Sequence, residues 1–237
     1  MSQHAEPPIL SVIIPVWNGA RHLGETVSSV LGQEVENIEV LILVDDGSED
    51  DSARVAQEFA AAPFVRCVEH PHMGLAAARN LGVSLARGGL LLHLDADDLL
   101  APGSISTRLG VLSKNPDADI VTGSMVSFAS PELSPEEAAR YDSPAEPQKG
   151  GLPGTSIVRT AFVKKVGPQN TDLAHSADLD WMIRAGEAGA KTLTIPDVVL
   201  RRRIHGRNTS LASNATASRL QILRAAMARR AQAGARP

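Results

Sequence analysis

The stretch LLLHLDADDLLAPGS, residues 90–104, runs from an apolar segment directly into three aspartates within four positions. A run such as GLLLHL has no polar alternation, so it reads as a strand buried on both faces. Strands of that kind belong to α/β sheets, whose ligands sit in the turns beyond the carboxyl ends of the strands. Carboxylates this close repel one another unless a positive charge lies among them. No Lys or Arg stands beside them in the chain. The turn therefore needs a cation from elsewhere.

Similar units stand on either side of this strand. ILSVIIP (9–15), IEVLILV (38–44) and FVRCVE (64–69) precede it, and ADIVTGSMV (118–126) follows. Between them lie segments with helical spacing: Leu23, Val27, Val30 and Leu31; then Val55 and Phe59, with Ser48 and Asp51 resembling a capping box; then Ala78, Gly82 and Leu85; then Ile105, Leu109 and Leu112. Four consecutive strand–helix units predict an α/β, Rossmann-type fold with a mainly parallel central sheet flanked by helices. Residues 129–153, with five prolines and five acidic residues, break the rhythm and read as an excursion or mobile loop. Beyond it TSIV, a short helix to Val166, a helix around DLDWMIRAGEAG, and the strands TLTI and VVLRRRI form a smaller second half. The expected organisation is one domain over 1–237, with a first half at 9–126, a second at 127–212 and a basic helical tail at 213–237. In that tail Leu220, Leu223 and Met227 share one side.

Composition narrows the class. The 237 residues are 43% hydrophobic and 21% charged, ordinary values for a globular chain, and the 3% aromatic content makes the core aliphatic. The single cysteine, Cys67, forms no internal disulfide and suits a reducing compartment. Neither a secretory leader nor an apolar run long enough to span a membrane is visible, so the expectation is a soluble, cytoplasmic protein. Of 23 basic residues, nine arginines lie from Val198 onward, where there is no Asp or Glu; the remaining 14 face 27 acidic residues upstream. A basic tail on an acidic body fits a polyanionic partner such as a diphosphate, an anionic lipid surface or nucleic acid, or else a solvated helix face.

The turns PVWN, DDGS and DADD, each at a strand's carboxyl end, converge on one edge. No GxGxxG follows the first strand and no GxxxxGK[ST] occurs, which excludes a dinucleotide dehydrogenase and a P-loop. Without a glycine cradle, a divalent cation held by one or two carboxylates is the usual way to neutralise a bound diphosphate.

PVWNGARHLGETVSSVLGQ, LILVDDGSEDDS, GLAAARNLGVSLARGGLLLHLDADD, ADLDWMIRAGEAG and RIHGRNTS occur in the order of the family-two glycosyltransferases of the GT-A fold, and the chain resembles that family from Ile9 to Ser210. The resemblance implies an inverting, metal-assisted sugar transfer from a nucleoside diphosphate sugar, a UDP-sugar being favoured. It implies that Pro15, Val16, Asn18 and Asp46 line the nucleotide pocket, and that Arg79, Asp95 and Ala96 lie at the donor. Asp97 and His205 are the implied ligands of Mn²⁺ or Mg²⁺. Asp178 matches the general base, at a helix N-terminus that favours negative charge, and Trp181 one turn on is placed to wall the acceptor. Where the family has Glu-Asp, this chain has Ala177-Asp178, which changes acceptor contacts or weakens activity.

Alternatives remain at this point. Asp45 and Asp46 also fit a turn, Asp98 a cap on the following turn, and His93 a packed strand position. A nucleotide-sugar-binding protein without turnover and a sugar nucleotidyltransferase share the metal–diphosphate logic. The acceptor is open (a glycan, a lipid-linked group, a peptide or a small molecule), nucleic acid is not expected, and the Arg-rich tail offers peripheral contact with the inner face of a membrane.

Overall fold

The computed structural model describes residues 7–45, 47–141, 146–151, 153–173, 175–206, 208, 222–227 and 229. The strands are β1 (Leu10–Val16), β2 (Ile38–Asp45), β3 (Val65–His70), β4 (Leu90–His93), β5 (Leu99–Leu100), β6 (Ile120–Ala129), β7 (Gln148–Lys149), β8 (Ser156–Arg159) and β9 (Thr192–Ile204). The helices are α1 (Ala20–Leu31), α2 (Ser52–Glu58), α3 (Leu75–Leu85), α4 (Ser104–Lys114), α5 (Pro135–Ala138), α6 (Thr160–Val166) and α7 (Ala177–Glu187). One sheet runs β3-β2-β1-β4-β8-β6-β9-β5, with β7 beside β6.

The first four strands are all parallel, as continuous apolar strands joined by helices require. All seven residues of β1 are buried, because helices cover both faces. Leu23, Val27 and Val30 of α1, Ala56 of α2 and Ile105 and Leu112 of α4 pack with Val12 and Ile14 on one face. Ile13, Leu41 and Leu91 meet Phe162, Trp181 and Ala185 on the other, beside Val83 and Leu85 of α3. Leu31 does not join its face; it is exposed, because at 100° per residue it stands about 80° from Leu23 and leaves the apolar stripe. A Cβ on Gly82 would lie 2.3 Å from Ile13 Cγ2, so glycine sets the close approach of α3 to β1.

The second half mixes directions. β8 is antiparallel to both β4 and β6, β6 and β9 are parallel, and β5 and β7 add short antiparallel edges. TLTI and VVLRRRI are one strand rather than two. The register against β6 slips between Thr122 and Ser124, so the chain around Pro196 bulges instead of ending the strand. The excursion 129–153 contains structure: Ser134 and Glu137 form a capping box on α5, and β7 pairs with β6.

Two further expectations fail. Ser48 does not cap α2; its hydroxyl accepts the Asn18 N–H, and Asp50 receives the Ser52 N–H instead. In the tail, residues 222–227 are helical, and Ile222 and Ala226 face inward while Leu223 and Met227 face solvent. Arg229 follows them to Glu187 of α7 (2.9 Å). Leu220 lies outside the described residues. Among those described, no helix is long and apolar enough to cross a membrane.

Candidate active site

The turn after β1 is fastened to the turn after β2. Asn18, with φ of 49°, accepts the Glu49 N–H (2.7 Å), while Gly19 N–H donates to Ser52 Oγ and Ala20 N–H to Asp50 Oδ2. This leaves Pro15 and Val16 buried at the end of β1 and puts Trp17 on the surface, its Nε1 reaching Gly47 O at 3.4 Å. Asp46 lies outside the described residues.

The three aspartates after β4 have three different partners. Arg79, 3% exposed in α3, donates from Nη2 to Asp95 Oδ1 at 2.6 Å. Burial pushes the Asp95 carboxyl up, Arg79 opposes this, and the charges of Asp97 and Asp178 add to the rise. Asp98 turns inward and accepts the Arg203 N–H of β9 at 2.9 Å. Burial, then the charges of Asp97 and Asp95, push its carboxyl well above the usual carboxylate range. Asp98 therefore ties the turn to β9 and has no part in the open site.

Asp95 and Asp97 both keep their carboxylates open to the cleft, Asp95 held by Arg79 and Asp97 by the second half of the chain. Asp97 Oδ2 lies 2.9 Å from His205 Nε2 and 3.5 Å from Asn208 Nδ2. Asn208 is itself fixed, accepting the His205 N–H and donating to Arg203 O. Ala96 serves as backbone, its carbonyl accepting Thr26 Oγ1 of α1 at 2.9 Å.

Arg203 was not singled out by the sequence. It is 1% exposed, donates from Nε to Asp97 O (2.9 Å) and from Nη2 to Glu25, and stacks on Phe128 at 4.8 Å. The available signal was strand alternation: within Arg201–Arg202–Arg203 the first and third share a face, and both stack on Phe128. The turn's missing cations are thus Arg79 and Arg203, from α3 and β9, so the basic C-terminal region is partly internal. His22 and Glu132 were missed as well. The two side chains meet at 3.3 Å, which brings the 129–153 excursion over α1 beside the His205 ring. Burial, then the charge of Arg203, lowers the pKa of His22.

Asp178 is half-buried in the first turn of α7, whose N-cap, Ser176, makes no side-chain cap. Ala177 before it is buried. Asp180 points away, held by Arg184 at 2.8 Å, and Asp172 is exposed. Trp181 is buried, with Nε1 donating to Gly167 O at 2.9 Å.

The donor set fits a hard divalent cation. At 2.9 Å the His205 Nε2–H can donate to the Asp97 carboxylate, and a divalent cation would take the place of that proton, with both atoms turned to it as ligands. Among the described residues no three of His, Cys, Asp or Glu converge on one point, so Asp97 and His205 would supply two ligands and leave positions for phosphate oxygens.

A parallel sheet half that sends its turns to one edge, joined to a mixed half in the same sheet and flanked by helices, is the architecture of GT-A glycosyltransferases. TarS of S. aureus, in a structure with UDP-GlcNAc, superposes with a TM-score of 0.74 over 92% of this chain and 65% of its own, at 17% identity. The mannosyltransferase PcManGT of Pyrobaculum calidifontis, in complex with GDP-Man and Mn²⁺, gives 0.68 over 100% of this chain and 69% of its own, at 19% identity. These likenesses carry the fold. The chain belongs to glycosyl transferase family 2, whose model matches residues 11–160. The glycosyltransferase GlyG of Streptococcus pneumoniae serotype 4 is 35% identical over 51% of this chain, which spans 40% of GlyG.

Proposed function

We propose that the chain transfers a sugar, with inversion, from a nucleoside diphosphate sugar to an acceptor hydroxyl, with Asp178 as the base and a UDP-sugar as the favoured donor. The observation that carries this reading is the Asp97–His205 pair, 2.9 Å apart at the cleft, with Asp178 close enough to act electrostatically on Asp95 in the same turn. The family membership and the nucleotide sugars bound by TarS and PcManGT support it.

Asn18 and the fastened turns hold the nucleotide cleft open, and the exposed ring of Trp17 offers a face for a base to stack on. Asp97 and His205 would hold Mn²⁺ or Mg²⁺, which when bound neutralises the charge that develops on the departing diphosphate. Arg79 fixes Asp95 in one rotamer, so Asp95 meets the ribose or sugar hydroxyls already oriented. Asp178 Oδ takes the proton of the acceptor hydroxyl as that oxygen attacks the anomeric carbon from the face opposite the diphosphate.

Product analysis tests the reading. With Mn²⁺ and a panel of UDP-, GDP- and dTDP-sugars, the expected product is free nucleoside diphosphate, most from a UDP-sugar. Pyrophosphate would indicate a nucleotidyltransferase. Donor binding without any product would indicate a binding protein, with Ala177 marking the lost activity.

A further inference from the structure

On the α3, α6 and α7 side of the sheet a cavity of about 380 Å³ lies over β4 and β8. Leu91 and Val158, paired across the two strands, form its floor, with Val83 on one wall and Val163 and Trp181 on the other. His93 lies two residues beyond Leu91, towards the carboxyl end of β4. With Asp178 in the first turn of α7, it marks the end of the cavity nearest the aspartate turn.

Three of the polar side chains at the cavity are already committed, while Ser156, Lys164 and Asp178 also line it. Asn80 exchanges hydrogen bonds with the Gln169 backbone (2.9 and 2.8 Å), Ser84 Oγ donates to Leu81 O, and the Trp181 indole donates to Gly167 O. His93 is neutral, its pKa lowered to about 3 by burial and then by the charge of Arg79. His93 Nδ1 and Gln169 Oε1 have no protein partner. A few polar atoms among apolar walls is the make-up of a small-molecule site. Against Leu91, Val158, Val83 and Val163 a polyol would bury hydroxyls without partners, which is costly. An alkyl or aryl group would not.

We propose that this cavity receives the apolar part of the acceptor, so that the chain glycosylates an alkyl or aryl alcohol whose hydroxyl stands at Asp178. The inference rests on the reading of Asp178 as the base. The acceptor O–H gives its proton to Asp178, its oxygen bonds to the anomeric carbon, and the bond from that carbon to the diphosphate oxygen breaks. The electron pair leaves with the nucleoside diphosphate.

The test is a titration of the full chain with primary alcohols from ethanol to octanol, and with glycerol, following the methyl signals of Val83, Val158 and Val163. Burial of each methylene predicts about fourfold tighter binding per carbon until the cavity is filled, with no saturable glycerol binding. Val83→Phe and, on the same wall, Ser84→Phe should weaken octanol at least tenfold. A UDP titration with Mn²⁺ reports whether each variant is folded. In the wild type, octanol and the donor should give an octyl glycoside. No saturable octanol binding, or equal binding in folded Phe variants, overturns the proposal, as does saturable binding with donor turnover but no octyl glycoside. Failure of wild type to bind any nucleotide while octanol still binds overturns the donor-site reading instead.

Discussion

In the half of the sheet built by β1–β4, the residues at the edge come straight from their own strands: Trp17 and Asn18 after β1, Asp95 and Asp97 after β4. In the half built by β5–β9, the same edge is completed by groups from far along the chain. His205 meets Asp97 across 108 positions, and Arg203 meets the same turn across 106. The parallel half supplies acidic and polar turns, and the mixed half supplies the cations that make an acidic turn tolerable. An edge of this kind is complete only when both halves are folded, which ties the proposed donor site to the stability of β9.

The largest effect that could break this division lies in the mixed half. Asp178→Asn keeps the size and removes the basicity, so transfer should fall by about 10²–10⁴-fold while nucleotide affinity, which rests on Asp97 and His205 instead, stays near wild type. Steady-state rates beside a UDP titration check this. A variant that turns over like wild type moves the base elsewhere.

Next comes the contact between the halves. Arg203→Met leaves Asp97 O without its donor and removes the stack on Phe128, and should cost about 2–3 kcal/mol in denaturant unfolding. Arg201→Ala, two residues away and exposed, should stay within about 0.5 kcal/mol. Equal costs would mean that the buried arginine is not what joins the halves.

The smallest effect lies at the opposite edge of the parallel half. Burial acts to raise the Glu39 pKa, but hydrogen bonds from Ser11 Oγ (2.6 Å) and from the Arg87 N–H and guanidinium outweigh it and hold the carboxyl below its ordinary value of 4.5. The stabilisation is therefore present above that value and is lost as pH falls through the lower folded one. Glu39→Gln should melt lower than wild type at neutral pH and lose part of the acid decline. Thermal melts between about pH 3 and 7 measure it.

The contrast between halves also explains what the sequence made legible. β1–β4 announce themselves because a parallel sheet buried on both faces needs continuous apolar strands, and the turns that bear function follow at once. The long β9 was hidden because Pro196 reads as a strand end, whereas the sheet absorbs it as a bulge. Arg203 was hidden in a run of three arginines that reads as solvated charge. The tail shows the same weakness: at its helix Ile222 and Ala226 face inward, while Leu223 and Met227 are exposed, so the apolar spacing picked the wrong face. The cavity beside Asp178 could not be read at all, since an unfilled volume is a property of packing between α3, α7 and the sheet, not of any one segment.

The proposed function stands or falls on whether Asp97, completed by His205, holds the donor through a divalent cation. Calorimetric titration of UDP tests it most directly: wild type with Mn²⁺, wild type with EDTA, and Asp97→Ala with Mn²⁺. A donor held through the cation should bind saturably in the first and at least tenfold more weakly in both others. Equal affinity in all three would contradict it.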